Sequence, residues 1–245
     1  MTSSIIRFQK KPQINHPLFL LLCSGVSIRR AALNLNVHFS TAYYRFLWMT
    51  KLANQKHSQF LASYIKSSSI YLDEMESIEH TKLKPLTLPL LVDEDQKILG
   101  ISAGSIPAKG HLAEISRKKY GTREDQSTEL IQRMLTRLAP NFVPLVVKTD
   151  GKNTYTKLIQ DRWNTDQVPH EVHIRKKEKD KEQLYLNHLK KRFDPMFAIN
   201  QRCAKLRSDI KRLVRRSWCT TKKVENLIGH LEIYACYNNN VNIFA

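Results

Sequence analysis

The run from Phe142 to Lys148 constrains this chain most. It is nearly continuously apolar, so as a strand it needs cover on both faces. Such a strand belongs inside a sheet with helices packed on it, and the flanking sequence supplies candidates for both. Ile70 to Asp73 begins one strand, Leu86 to Val92 forms a second and Lys97 to Ala103 a third, with Asp93, Glu94 and Asp95 in the turn between the last two. From Asp125 to Leu138 the apolar side chains of Leu130, Ile131, Met134, Leu135 and Leu138 share one helical face, and Pro140 ends that helix. Tyr155 to Trp163 reads as a short helix and Glu171 to Ile174 as a fifth strand. Pro195 to about Ser217 reads as one long helix, whose stripe is Ile199, Cys203, Leu206, Ile210 and Leu213. A last helix spans Lys222 to about Tyr237. This order predicts an α/β fold, a mixed sheet flanked by helices.

The part before the sheet differs in kind. Residues 1–16 are polar and basic and are expected to form a disordered or truncated tail. Residues 17–60 read as a small all-helical unit. Leu18, Leu21 and Leu22 share a face, Gly25 offers a turn, and Ser27 can cap a helix bearing Ile28, Ala31, Ala32 and Leu35. Ser40 or Thr41 can cap a third helix carrying Tyr44, Leu47 and Trp48. The serines at 67 to 69 mark the edge of a second unit, residues 68–240.

The charge narrows the partners. The chain of 245 residues holds 40 Lys and Arg against 22 Asp and Glu, a formal +18. Between Arg175 and Lys223 there are 17 cations and 5 acids, so two-thirds of the surplus lies in one-fifth of the chain. A localised basic face of this kind suits a nucleic acid, whose phosphates release counterions on binding; a solvated helix is the plainer alternative. The four cysteines, Cys23, Cys203, Cys219 and Cys236, form no close pair and are expected to be free thiols. No apolar run reaches the ~18 residues a membrane span needs, so the expected location is the cytoplasm.

Two acids stand where acids are costly. Asp73 follows an apolar triplet in the first strand, and Asp150 ends the buried one. Either alone could cap a turn. Together, on adjacent parallel strands, they could hold two divalent ions about 3.5–4 Å apart against a phosphodiester.

The run from Leu72 to Leu86 resembles the first catalytic strand of insertion-sequence DDE transposases. The run from Leu206 to Lys222, with Leu206-Arg207, Ile210, Arg212-Leu213, Arg215-Arg216 and Cys219, is similar to the helix after the third catalytic position in the "insertion sequence One" group. The resemblance implies an RNase H-like catalytic unit that cuts and joins DNA with two Mg²⁺ (or Mn²⁺) ions. Asp73 and Asp150 match its first two metal ligands. Asn200 falls on the third position, normally Glu, and Arg207 follows seven residues later on nearly the same helical face. Asn200 could instead hydrogen-bond within the core, and Glu225 or Glu232 could substitute as third acid; Asp209 lies on the opposite side of its helix.

The N-terminal helices resemble the family's helix-turn-helix. Arg29, Arg30, His38, Ser40, Thr41, Tyr44 and Arg45 would then meet bases or phosphates, joined at the other end by Arg207, Lys211, Arg212, Arg215 and Arg216. A three-helix packing unit without DNA contact is the alternative. Relatives often carry a zinc ribbon ahead of these helices, and nothing before Cys23 matches one. The implied partners are double-stranded DNA, both element ends and target, and further copies of the chain; the implied place is the bacterial cytoplasm, at the nucleoid. The competing expectation is a shortened or decayed copy that binds DNA without catalysis.

Overall fold

The computed structural model describes residues 9–163, 167–174, 194–214 and 219–244. Its centre is a mixed sheet of six strands: β1 (Ser69–Ile78), β2 (Pro85–Asp93), β3 (Ile98–Ile101), β4 (Gly104–Ser105), β5 (Val146–Thr149) and β6 (His170–Val172). The spatial order is β3-β2-β1-β5-β6, with β4 alongside β2. β1, β2, β3 and β4 pair antiparallel, whereas β1–β5 and β5–β6 are parallel. β1 pairs with β2 from Ile70 to Ile78 but with β5 only from Ser69 to Leu72. The far half of β1 therefore continues past β5 as a ribbon with β2.

Among the described residues there are eight α-helices: α1 (Asn15–Leu22), α2 (Ile28–Asn34), α3 (Phe39–Ser63), α4 (Leu112–Tyr120), α5 (Ser127–Thr136), α6 (Asn153–Arg162), α7 (Phe197–Asp209) and α8 (Val224–Asn238). Strand alternation divides them between two faces. Met75, Leu86, Leu88, Leu90 and Val92 share one apolar cluster with α1, α2, α3, α7 and α8. Ile70, Leu72, Leu91, Leu99 and Val147 share the other with α5 and α6. The helices before the sheet thus pack into the same core as the sheet itself. α3 and α8 approach closely at Gly229, where a Cβ would stand 2.4 Å from Thr50 Cγ2. None of these helices is long and apolar enough to cross a membrane.

Several local expectations change. Helical structure starts at Pro12 with a 3₁₀ turn, inside the stretch expected to be disordered. Ser27 caps α2 as expected, accepting from Arg30 N at 3.3 Å. α3 starts two or three residues earlier than expected, and His38 rather than Ser40 or Thr41 caps it: Nδ1 accepts from Ser40 N at 3.3 Å. α4 has too few apolar residues to have announced itself. The expected long helix from Pro195 stops at Asp209, because the Asp209 carbonyl accepts from Gly25 N at 2.6 Å and Ile210 turns extended. A short 3₁₀ helix, Lys211–Leu213, follows. The basic stretch from Lys176 to Arg192, and both Arg215 and Arg216, lie outside the described residues.

Candidate active site

The register of β1 against β5 ends with Leu72 opposite Thr149, and the next residue on each strand is an acid, Asp73 and Asp150. The two side chains therefore leave the same end of a parallel pair. Asp73 is half-buried and points toward α7, on the face that also carries Tyr71 and Met75. Its Oδ1 accepts from Glu74 N at 2.7 Å. Its pKa is raised to about 6: burial is the main cause, the Glu74 N–H and the Arg207 charge oppose it, and the charges of Asp150 and Glu74 add to it. No cation within ion-pair distance offsets this carboxylate among the described residues. Asp150 is exposed, its Oδ1 accepting from Lys152 N at 3.4 Å. Gly151 follows at φ 89°, and a Cβ there would lie 2.8 Å from Val172 Cγ1, so only glycine lets the chain turn under β6.

α7 supplies the wall opposite Asp73. Cys203 is buried there, its thiol pushed up to about 12 by burial and then by the Asp73 charge, with Arg207 opposing. Cys203 and Arg207 thus both lie in the electrostatic reach of Asp73. Asn200 sits one turn ahead on the same side of α7 but is exposed, and its Nδ2 donates to Asp194 Oδ2 at 2.8 Å. It makes no core hydrogen bond, and its amide oxygen has no partner among the described residues. Asp194 also accepts from Met196 N at 2.9 Å, which fixes the start of α7. Among the described residues no three His, Cys, Asp or Glu side chains are grouped as metal ligands.

The reserve acids are placed elsewhere. Glu232 is buried on α8, with His57 Nδ1 at 2.6 Å from Oε2 and Arg137 on Oε1, so it is committed to a structural ion cluster and is no third ligand. Glu225 is exposed in the first turn of α8. Asp209 accepts from the Tyr234 hydroxyl at 2.7 Å.

A second network was not foreseen from sequence. On the other face of β1, Glu74 Oε1 accepts from Lys152 Nζ at 2.6 Å and from the Tyr155 hydroxyl at 3.0 Å, and Oε2 accepts from Thr87 Oγ1 at 2.5 Å. Glu74 thus ties the residue after Asp73 to the residue two after Asp150. The sole sequence signal was an acid inside a strand next to another acid.

Of the side chains expected on DNA, Arg29 and Arg30 are exposed on α2, with the Arg29 guanidinium 5.7 Å from the Phe39 ring centre. Tyr44 is 69% exposed. Ser40 and Thr41 are half-exposed, and the Ser40 hydroxyl lies 2.7 Å from His38 Nδ1. His38 and Ser40 therefore use polar atoms within the cap. Arg45 is partly buried, which lowers its pKa. Lys211 is exposed, but Arg212 folds over the Phe46 ring at 5.7 Å and is desolvated there, so it is not presented with Arg207 on one helical face.

No family model and no curated protein matches this chain. Among solved structures, the chain is similar to part of the "CryoEM structure of simian T-cell lymphotropic virus intasome in complex with PP2A regulatory subunit B56 gamma", with 16% identity and a TM-score of 0.32 over 85% of this chain and 70% of that one. A likeness of that size carries no argument about mechanism.

Proposed function

We propose that this protein is a DDE-type DNA transposase with Asn at the third position, in which Asp73 and Asp150 hold Mg²⁺ or Mn²⁺. The observation that carries this reading is the placement of both acids at one end of the parallel β1–β5 pair, with a partly buried Asp73 that no ion pair among the described residues offsets. Three antiparallel strands followed by two parallel ones is also the order that an RNase H-like catalytic unit would need. The donor set fits two hard divalent cations: two carboxylates on adjacent strands, and an Asn200 amide oxygen without a partner among the described residues.

When bound, the ions would neutralise charge on a phosphodiester and lower the proton affinity of the attacking oxygen. The reaction this serves is hydrolysis of a P–O3′ bond by water, which leaves a 3′-hydroxyl and a 5′-phosphate, followed by attack of that hydroxyl on a target phosphodiester, whose own P–O3′ bond breaks to release a target 3′-hydroxyl. Arg207, within electrostatic reach of Asp73, would grip a non-bridging phosphate oxygen and hold the phosphorus in line. Positioning and charge neutralisation would account for most of the rate. Lys152, held by Glu74, would keep the loop after Asp150 in place.

One observation favours a second reading, a protein that binds DNA without cutting it. The Asn200 amide is turned to Asp194, and no third carboxylate joins the acidic pair among the described residues. A cleavage and strand-transfer assay with Mg²⁺ or Mn²⁺, on DNA carrying the sequences that flank the gene, separates the two. The catalytic reading expects activity in the native protein and a loss of at least about 1000-fold in Asp150→Asn. Equal yields from the two proteins would leave only the binding reading.

A further inference from the structure

The ribbon formed by β1 and β2 beyond β5 has no role in the acidic pair, yet it is heavily braced. α4 lies against its tip: Ser116 Oγ donates to the Leu83 carbonyl at 2.6 Å, and Arg123 donates to the Pro85 carbonyl at 3.4 Å while standing 3.7 Å from Glu79. Lys84, from the turn of the ribbon, sits 5.3 Å from the Tyr120 ring centre, with Lys119 at 5.5 Å. A groove of about 220 Å³ opens along this seam, floored by Pro107 and Ala113 and edged by Arg117 and Thr122.

What α4 presents outward is almost purely cationic. Arg117, Lys118 and Lys119 fill its last turn, all exposed, and none forms an ion pair among the described residues. From Lys109 to Arg123 five Lys and Arg face a single acid, Glu114. This charge lies outside the basic stretch that the sequence pattern singled out.

Along β1, Asp73 and Ile78 are five residues apart, about 17 Å at ~3.4 Å per residue. Stacked base pairs have the same ~3.4 Å spacing, so a duplex laid along β1 from the acids would reach the platform after roughly five base pairs. We propose that this α4 platform is a second DNA contact surface, which grips the sugar–phosphate backbone of the duplex whose phosphodiester lies at Asp73 and Asp150. The inference rests on the DNA-processing reading above. A lipid surface fits less well: the one large apolar side chain that α4 exposes is Ile115, too little for an interfacial helix.

The test is duplex binding by fluorescence anisotropy between 50 and 250 mM NaCl, with a random-sequence duplex of about 40 base pairs. Each phosphate contact contributes about 0.9 to the slope of log affinity against log salt. The expected result for Arg117→Gln/Lys118→Gln/Lys119→Gln is a tenfold or greater loss at low salt and a slope smaller by about two to three. The charge-preserving Arg117→Lys should bind like the native protein. All three positions are exposed, so an unchanged melting temperature should accompany the loss. Unchanged affinity and slope in the triple variant, with the native protein binding, would sink the contact and leave the transposase reading standing. Tighter binding to anionic vesicles than to duplex would also overturn it. Conversely, loss of binding in the triple variant with no cleavage by the native protein would keep the contact and remove the catalytic reading.

Discussion

Asp73 and Glu232 are both carboxylates taken largely out of water, and they end in opposite states. Burial pushes each of them up. At Glu232, hydrogen bonds and charges from His57 and Arg137 outweigh that push, and its pKa falls below the ordinary carboxylate range. At Asp73, one backbone N–H and the more distant Arg207 do not suffice, and the pKa rises to about 6. His57 completes the contrast, with Nε2 3.0 Å from the Ile98 carbonyl and Nδ1 on Glu232, so both ring nitrogens face oxygen. One acid is saturated with partners and holds α3, α5, α8 and β3 together. The other is left with charge that the described residues do not balance. Unbalanced charge where a parallel pairing ends is where a ligand is to be sought, and balanced charge in a core is where stability is.

The largest expected effect is on the saturated acid. Glu232→Gln leaves the half-buried Arg137 guanidinium without its counter-charge and weakens the bond to buried His57, and should lower unfolding stability by about 3 kcal/mol, as removal of one member of a buried pair does. Asp73→Asn removes a repelled, desolvated charge and should stay within about 1 kcal/mol of the native protein, or gain slightly. Urea denaturation of both variants decides it. A larger loss for Asp73→Asn than for Glu232→Gln would invert the comparison and make Asp73 the structural acid.

pH gives a second contrast, through a buried group that stays neutral. His230 Nε2 donates to the Leu22 carbonyl at 2.9 Å, while Nδ1 has no partner among the described residues. Burial first, then the Arg212 charge, lowers its pKa to about 3, against the Leu22 bond that raises it. Between an unfolded pKa near 6.5 and that value, the unfolded chain binds the extra proton and the folded one does not. The His230 contribution is therefore complete above about pH 6.5 and is lost toward pH 3, by up to ~1.4 kcal/mol per pH unit. The Glu232 contribution has the same sign but a lower window: it is present above the unfolded carboxylate pKa of about 4.3 and disappears as pH falls through the folded value. Denaturation at pH 7, 6 and 5 should show a slope that His230→Gln flattens and Glu232→Gln does not. Asp73, raised to about 6, works in the opposite direction over this range, so the comparison is with the variant: an identical pH dependence in the native protein and in His230→Gln would contradict this account of His230.

These contrasts also mark what could be read from the chain alone. Five strands were legible as apolar runs, and Asp73 and Asp150 stood out because each follows one; β4 was not legible, and β5 starts only at Val146, leaving Val143 and Leu145 of the expected doubly covered strand exposed. Ser27 as a cap was legible because capping is local. Glu232 was not, because its partner His57 lies 175 residues away and nothing in an amphipathic helix distinguishes a paired acid from a solvated one. The end of α7 at Asp209 was hidden for the same reason: the stripe of apolar residues continues through Leu213, but the carbonyl needed for another turn is taken by Gly25 from the other end of the chain. α4 was missed because its three apolar residues make no stripe long enough to set against its charges. Local chemistry was visible, and long-range competition for the same groups was not.

The smallest effect concerns the clamp behind the acids. Glu74 holds Lys152 and Tyr155, so it fixes the loop after Asp150 relative to β1 without touching the site that Asp73 faces. Glu74→Gln keeps the shape of the side chain and weakens the bond to Lys152. If Asp73 and Asp150 take a divalent cation together, loosening this loop should weaken Mn²⁺ binding roughly tenfold, about 1.4 kcal/mol, as loss of an outer-shell partner does. Asp150→Asn should remove most of that binding, and Glu232→Gln should leave it unchanged. Calorimetric titration of the folded variants with Mn²⁺ separates positioning from stability, because a purely structural Glu74 would lower the melting temperature and leave the affinity as it was. That outcome would detach the clamp from the site, and the two acids would then owe their placement to the strand register alone.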